Sequence, residues 1–201
     1  MLRLYDYLPS GNGFKVRLLL HLLGRPFEMV EKDIVKGETR TPEYLAKNAN
    51  GRIPLLELED GTFLPESNAI LFYLAEGTPF LPDDRLDRAR VFQWMFFEQY
   101  SHEPNIAVVR FWMQHVDMTP EHEAMLPAKR EGGYAALGVM EGQLQGRDWF
   151  VGDGITIADI ALYAYTHVAH EGGFDLAGYP AIRAWLDRVA AQPGYVPITR
   201  R

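Results

Sequence analysis

The chain has no cysteine. That single absence excludes disulfides, a CxxC redox pair, thiolate metal sites and a cysteine nucleophile, so any sulfur chemistry here must use a sulfur carried by the ligand. Long apolar runs are missing too. No window reaches the roughly 18 uninterrupted apolar residues of a membrane span, and the opening MLRLYDYLPSG has no signal-peptide h-region. A cytosolic address without a membrane partner is the expectation. Positive charge is scarce: 27 acidic residues stand against 20 basic ones, a formal charge of −7. The basic excess that binds nucleic acid or an anionic membrane is therefore lacking, which leaves small molecules and proteins as partners.

What the chain does have is a hydrophobic content of 47% over 201 residues, enough core for one large domain or two small ones. Residues 1 to 80 alternate strand-like and helix-like signals. LRLY reads as a strand and runs into the polar turn YLPSGNG. FKVRLLLHLLG then carries Val16, Leu19, Leu20 and Leu23 at helical spacing, with Gly24 and Pro26 closing it, which predicts a helix starting near Asn12 or Gly13. FEMVEKDI is a second strand. TPEYLAKNANG is a short helix with Thr41 as N-cap and Pro42 at its first position. PLLEL and TFL flank Asp60-Gly61, a hairpin signal, and a further helix starts near Asn68. The order is βαβ followed by ββα.

From about residue 83 the pattern is helical throughout. Pro104 is expected to kink or end the first of these helices, with more helices within 120 to 145, 156 to 170 and 179 to 191. TPFLPDD, residues 78 to 84, is the natural linker. Thr156 and Asp159 form a capping box that starts a helix, a structural role rather than a catalytic one.

Four features could carry chemistry. Pro54 opens a strand, where a proline cannot donate to the ladder; a trans edge proline is the commoner explanation, and a cis bond would turn the backbone of Ile53 toward the tip of helix 1. Ser67 is an ordinary N-cap residue. Glu66 beside it is a carboxylate at a helix N-terminus, and the pair suits a zwitterion, the helix and Ser67 taking its carboxylate while Glu66 takes its ammonium. Ser10 is no hydrolase nucleophile, because YLPSG is not a GxSxG elbow and no histidine partner is evident. A hydroxyl at a helix start can instead donate to a bound thiolate, whose thiol has an ordinary pKa near about 8.5. His167 and His170 share a helix face without a third ligand at a recognised spacing, so no metal site is expected.

Taken in order, LYDYLPSGNGFKVRLLLHLLG, KGETRTPEYLAKNANGRIPLLELEDGTFLPESNAILFYLA and the late GITIADIALYAY resemble the cytosolic glutathione transferases over most of the chain. The resemblance implies an α/β thioredoxin-like βαβαββα domain over residues 1–80 and an all-α domain over 84–201 that contributes the electrophile pocket. It implies glutathione as co-substrate and no metal. Ile53, ahead of a cis Pro54, would pair its backbone with the cysteinyl unit. Glu66 and Ser67 would hold the γ-glutamyl end. Arg52 would sit near the glycine carboxylate, with Lys36 or Arg40 assisting.

PSGNG resembles the serine-bearing and bacterial Nu-like members, which puts Ser10 and Asn12 against the sulfur, with Tyr5 or Tyr7 as the tyrosine-type alternative. Tyr100, Phe111 and Trp112 stand as guesses for the wall of a pocket for a small hydrophobic electrophile, and the family implies a homodimer. Three functions stay open at this stage: a glutathione transferase, a glutathione-dependent reductase of disulfides or peroxides, and a non-catalytic binding or regulatory protein.

Overall fold

Alternation along β1 (Leu2–Asp6) sends Leu2, Leu4 and Asp6 to one face and Tyr5 to the other. In the computed structural model, which describes residues 1–200, this strand lies inside a four-stranded sheet of order β2-β1-β3-β4. β2 (Phe27–Glu31) runs parallel to β1, while β3 (Leu55–Glu57) is antiparallel to β1 and β4 (Phe63–Pro65) antiparallel to β3. The parallel pair needs a crossover, and α1 (Gly11–Leu22) supplies it. The antiparallel pair needs only the Asp60-Gly61 turn.

Two helices cover one face: α1 packs against α3 (Ser67–Ala75), with Leu4, Phe14, Val16, Leu18, Ile70 and Leu71 fully buried there. The other face carries the short α2 (Pro42–Leu45), whose Tyr44 meets the ring of Tyr5 edge-on and packs with Leu55 and Phe63. Thr41 caps α2 by accepting from the Tyr44 N–H, as its sequence position predicts.

Residues 1–76 and the described residues from Gln192 onward form the first of two compact units; Gly77–Ala191 form the second. The final segment thus departs from the division at 84–201. The reason lies in α1, where the buried guanidinium of Arg17 donates to the carbonyls of Ile198 and Arg200.

The second unit is helical: α4 (Arg85–Phe97), α5 (Glu103–His115), α6 (Pro120–Leu144), α7 (Ile157–Thr166) and α8 (Pro180–Ala190). Pro104 does not end the run. A π-helical turn over Glu98–His102 joins α4 to α5, and its wider spacing takes up the missing N–H and the ring that an ordinary α-turn would crowd against residue 100. α7 is buried along its whole length. Asp159 organises it: its carboxylate accepts from the Thr156 N–H and hydroxyl, the Phe150 N–H and the Trp185 indole. No helix among the described residues is long and apolar enough to cross a membrane.

His167, at the C-terminal end of α7, stacks on Tyr163 and points Nδ1 at the Tyr163 carbonyl. Burial pushes its pKa down from 6.5 to about 4. The unfolded chain therefore takes up a proton first on acidification, and this contribution to stability is lost as pH falls from 6.5 toward 4. Burial pushes Asp159 the other way, to about 6, so its effect on stability has the opposite sign in an overlapping window. Thermal unfolding of the wild type and His167→Gln across that range separates the two. The stability advantage of the wild type should shrink on acidification, by on the order of 3 kcal/mol at most, the size of a shift of two to three pKa units.

Candidate active site

The turn between β1 and α1 sets out the first part of the site. Ser10 occupies the N-cap of α1 in extended backbone, so that the helix starts at Gly11, one residue ahead of Asn12, and its Oγ accepts from the Gly13 N–H at 3.3 Å. Acceptance uses a lone pair and leaves the hydroxyl proton, which has no acceptor among the described residues. The α1 N-terminus adds the positive end of the helix dipole at the same turn. Such an end is chemically suited to an anion.

Charged side chains hold that turn in place. The Tyr7 N–H donates to Asp6 Oδ1 at 2.7 Å and the Leu8 N–H to Glu31 Oε1 at 2.9 Å, while Arg17 Nη2 donates to the Leu8 carbonyl at 2.6 Å. Asp6 and Arg17 are fully buried and pair at 2.8 Å. Burial pushes the Asp6 carboxyl up to about 7, against the pull of the Arg17 guanidinium. Asp6 also rests on α1 so closely that a β-carbon on Gly13 would stand 1.5 Å from its Oδ1.

Ile53-Pro54 is cis. The loop leading into it is anchored at Arg52, whose carbonyl accepts from the Tyr44 hydroxyl at 2.8 Å and from Asn48 Nδ2 at 2.9 Å. The backbone N–H and C=O of Ile53 have no partner among the described residues. An unpaired amide donor and acceptor side by side are what an incoming extended peptide would pair with.

The third part is the N-terminus of α3. Ser67 is not its cap: it is the first helical residue, and Glu66 holds the cap position with φ 73 and ψ 112 and no side-chain capping bond. Glu66 has the one left-handed φ of any non-glycine residue among those described, a conformation that costs on the order of 1–3 kcal/mol and is concentrated at functional sites. Its carboxylate is exposed and without a partner among the described residues. The Ser67 hydroxyl is buried instead and donates to Asn12 Oδ1 at 3.4 Å. That contact sets the two helix N-termini side by side and so brings Ser10, Asn12, Glu66 and Ser67 together, while the side chain of Ile53 packs with Tyr5, Tyr44 and Leu55.

The basic candidates divide. Arg52 is exposed and its guanidinium has no partner among the described residues. Lys36 is paired with Asp33 at 2.9 Å, and Arg40 Nη1 donates to the Asn50 carbonyl at 2.9 Å. Tyr5 points to the opposite face of the sheet, its hydroxyl donating to Glu57 at 2.7 Å and accepting from Lys47 at 3.0 Å. In the helical unit the three guessed wall residues have separate surroundings. Tyr100 lies in the π-helical turn and is 88% exposed. Phe111 tilts against His115, and Trp112 stacks on His122. Consecutive residues in a helix diverge by about 100°, so Phe111 and Trp112 face different ways. Among the described residues no group of three or more histidines, aspartates or glutamates could hold a metal ion.

Sequence reading missed Asp6, Arg17 and Glu31. A signal existed in two of them: Asp6 is a carboxylate at the strand positions that alternate with Leu2 and Leu4, and Arg17 interrupts the apolar run of α1.

Comparison with known proteins bears on this geometry. A family model described as the glutathione S-transferase N-terminal domain matches residues 1–76, and one described as the glutathione S-transferase C-terminal domain matches residues 97–193. The structure of a glutathione S-transferase from Pseudomonas fluorescens superimposes with a TM-score of 0.96 at 52% identity, covering 99% of each chain. A glutathione transferase from Burkholderia graminis, solved with two glutathione molecules bound per subunit, gives 0.83 at 30% identity over 96% of this chain and 85% of its own. The disulfide-bond oxidoreductase YfcG of Escherichia coli is 30% identical over 96% of this chain and 92% of its own length. A thioredoxin-like unit with a cis proline and two helix N-termini in contact, followed by a helical unit, defines the class. The chain belongs to the glutathione S-transferase family.

Proposed function

We propose that this chain is an enzyme that binds glutathione, ionises its thiol and delivers the thiolate to a small hydrophobic electrophile. The observation that carries the proposal is the contact between Ser67 Oγ and Asn12 Oδ1, which joins the zwitterion-holding tip of α3 to the thiolate-holding tip of α1. Glu66 accepts from the γ-glutamyl ammonium. Ser67 and the α3 N-terminus hold the neighbouring carboxylate. Ile53 pairs its amide and carbonyl with the cysteinyl unit, and Arg52 takes the glycine carboxylate, since Lys36 and Arg40 are already engaged.

The sulfur then lies at the α1 N-terminus. Ser10 donates its free proton to the thiolate and Asn12 orients it, which lowers the thiol pKa; each unit is worth about 1.4 kcal/mol. The thiolate attacks the electrophilic carbon, forming the C–S bond and expelling the leaving group with its electron pair. Proximity supplies the remainder of the acceleration. On family grounds the proposal includes a cytoplasmic homodimer in which Tyr100 is the strongest of the three guesses for the electrophile wall, being the one left exposed.

A second reading is supported by the absence of cysteine together with the likeness to a disulfide-bond oxidoreductase. Here the bound thiolate attacks a disulfide, releasing one thiol. A second glutathione then resolves the mixed disulfide, so that two glutathiones are oxidised as one substrate disulfide is reduced.

Calorimetry with glutathione and turnover on a chloronitroarene and on a mixed disulfide test these readings together. Glutathione should bind the wild type, and Glu66→Ala should weaken binding roughly tenfold or more, the size of one lost charge-assisted contact. Turnover confined to the chloronitroarene supports transfer, and turnover confined to the disulfide supports reduction. Binding without either leaves a non-catalytic regulator, and no binding at millimolar glutathione defeats the proposal.

A further inference from the structure

The Arg17 guanidinium is fully buried and makes four hydrogen bonds to two distant stretches of chain, residues 6–8 and 198–200. Nε donates to Asp6 Oδ2 at 2.8 Å and Nη2 to the Leu8 carbonyl at 2.6 Å. Nη1 donates to the carbonyls of Ile198 at 2.8 Å and Arg200 at 2.6 Å. Half of its acceptors therefore come from the end of the described chain. That segment also lies along α1 farther back, where a β-carbon on Gly194 would sit 3.0 Å from the His21 carbonyl. Leu8, at the other end of the fork, is two residues ahead of Ser10 in a turn whose backbone is gripped by Asp6 and Glu31.

A buried arginine is an expensive way to fill space, since apolar residues of similar volume often serve stability as well or better. A planar fork that ties the strand-to-helix turn and the terminal segment to α1 at once is something an apolar side chain cannot reproduce.

We infer that Arg17 is a positioning residue for Ser10, and that the carboxy-terminal segment, through the carbonyls of Ile198 and Arg200, is a working part of the site whose docking sets where the Ser10 hydroxyl stands against a bound sulfur. The inference rests on the reading of Ser10 as host to the glutathione thiolate. The groups that bind the rest of glutathione, Glu66, Ser67 and Ile53, sit on other elements. Undocking the segment thus affects ionisation of the thiol and leaves affinity for the peptide largely intact. Arg17 from α1, Glu31 from β2 and Tyr44 from α2 are the charged or titratable groups that act on Asp6 at the centre of the arrangement.

Two variants of the full chain test it: deletion from Ile198 onward, which leaves Arg17 with Asp6 and Leu8, and Arg17→Lys, which keeps the charge beside Asp6 and loses the fork. Circular dichroism establishes folding, and if one variant fails to fold the other decides. The ultraviolet absorbance of the thiolate, titrated with pH in the glutathione complex, is the main readout. The expected result is a thiol pKa raised by about half a unit to one unit, a fall in kcat of about three- to tenfold below that pKa, and glutathione affinity within about twofold of the wild type. An unmoved ionisation profile in the folded variants overturns the inference, as does a loss of affinity that tracks the loss of rate with the profile unchanged. Ser10→Ala separates the two layers. If it shifts the profile and the two variants do not, only the role of Arg17 and the terminal segment fails; if Ser10→Ala leaves the profile unmoved, the thiolate reading itself fails.

Discussion

Ser10→Ala should lower kcat/KM by roughly two orders of magnitude, the scale of one oxyanion-type donor removed from a preorganised site, and raise the pKa of the bound thiol by about one to two units. The complication is that Ser10 also caps α1 by accepting from the Gly13 N–H. Loss of a serine cap costs about 1 kcal/mol of helix stability when alanine replaces it but only a few tenths when glycine does. Ser10→Gly is therefore the informative companion. If the hydroxyl acts on sulfur, both variants lose activity together although their unfolding midpoints differ. If activity follows the cap, Ser10→Gly stays close to the wild type and the assignment fails. Ser10→Thr keeps the hydroxyl, and partial activity there points to the same donor.

Gly13→Ala carries the largest expected cost in stability. The added methyl would stand 1.5 Å from Asp6 Oδ1 and 2.0 Å from its Cγ. A flexible exposed carboxylate could swing aside, but this one is fixed by the Tyr7 N–H on one oxygen and by Arg17 on the other. Relief requires either that Asp6 abandons Arg17, leaving a buried cation without its partner, or that α1 moves off the sheet. Either route costs more than about 3–4 kcal/mol. Urea denaturation should show the loss, and glutathione binding should weaken as the Ser10 turn shifts. Gly13→Ala combined with Asp6→Ala clears the clash but also removes the partner of Arg17, so the double variant should lose clearly less than the sum of the two single losses. Additive losses in the pair would mean that the tight approach is not the cause.

The fold was legible because its signals are local. Helical spacing in FKVRLLLHLLG, the Asp60-Gly61 turn and the Thr156 and Asp159 capping box each report on a few neighbouring residues, and each element stands within a residue or two of where they put it. The place of Glu66 and Ser67 together at the start of α3 was legible because the helical spacing that follows them begins there. Their division of labour was not. Which of them caps α3 depends on the backbone at Glu66 and on the reach of Ser67 to Asn12, 55 positions away. Arg17 was illegible as a site residue for the same reason on a larger scale, since its acceptors lie up to 183 positions along the chain. Pro104 was legible only as a place where a helix kinks or ends: it falls in the first turn of α5, and the π-turn that joins α4 to α5 ahead of it is not announced by the local sequence.

The return of the chain to its first unit also sets an order of assembly. Both ends of the described chain belong to that unit, and the helical unit is in effect an insertion between Glu76 and Gln192. On the ribosome, the sheet and its helices emerge first, yet Arg17 then has two of its four acceptors still unsynthesised. Of the two units, the one whose synthesis starts first is completed second, and the Ser10 turn receives its final brace only after the residues of the helical unit have been made.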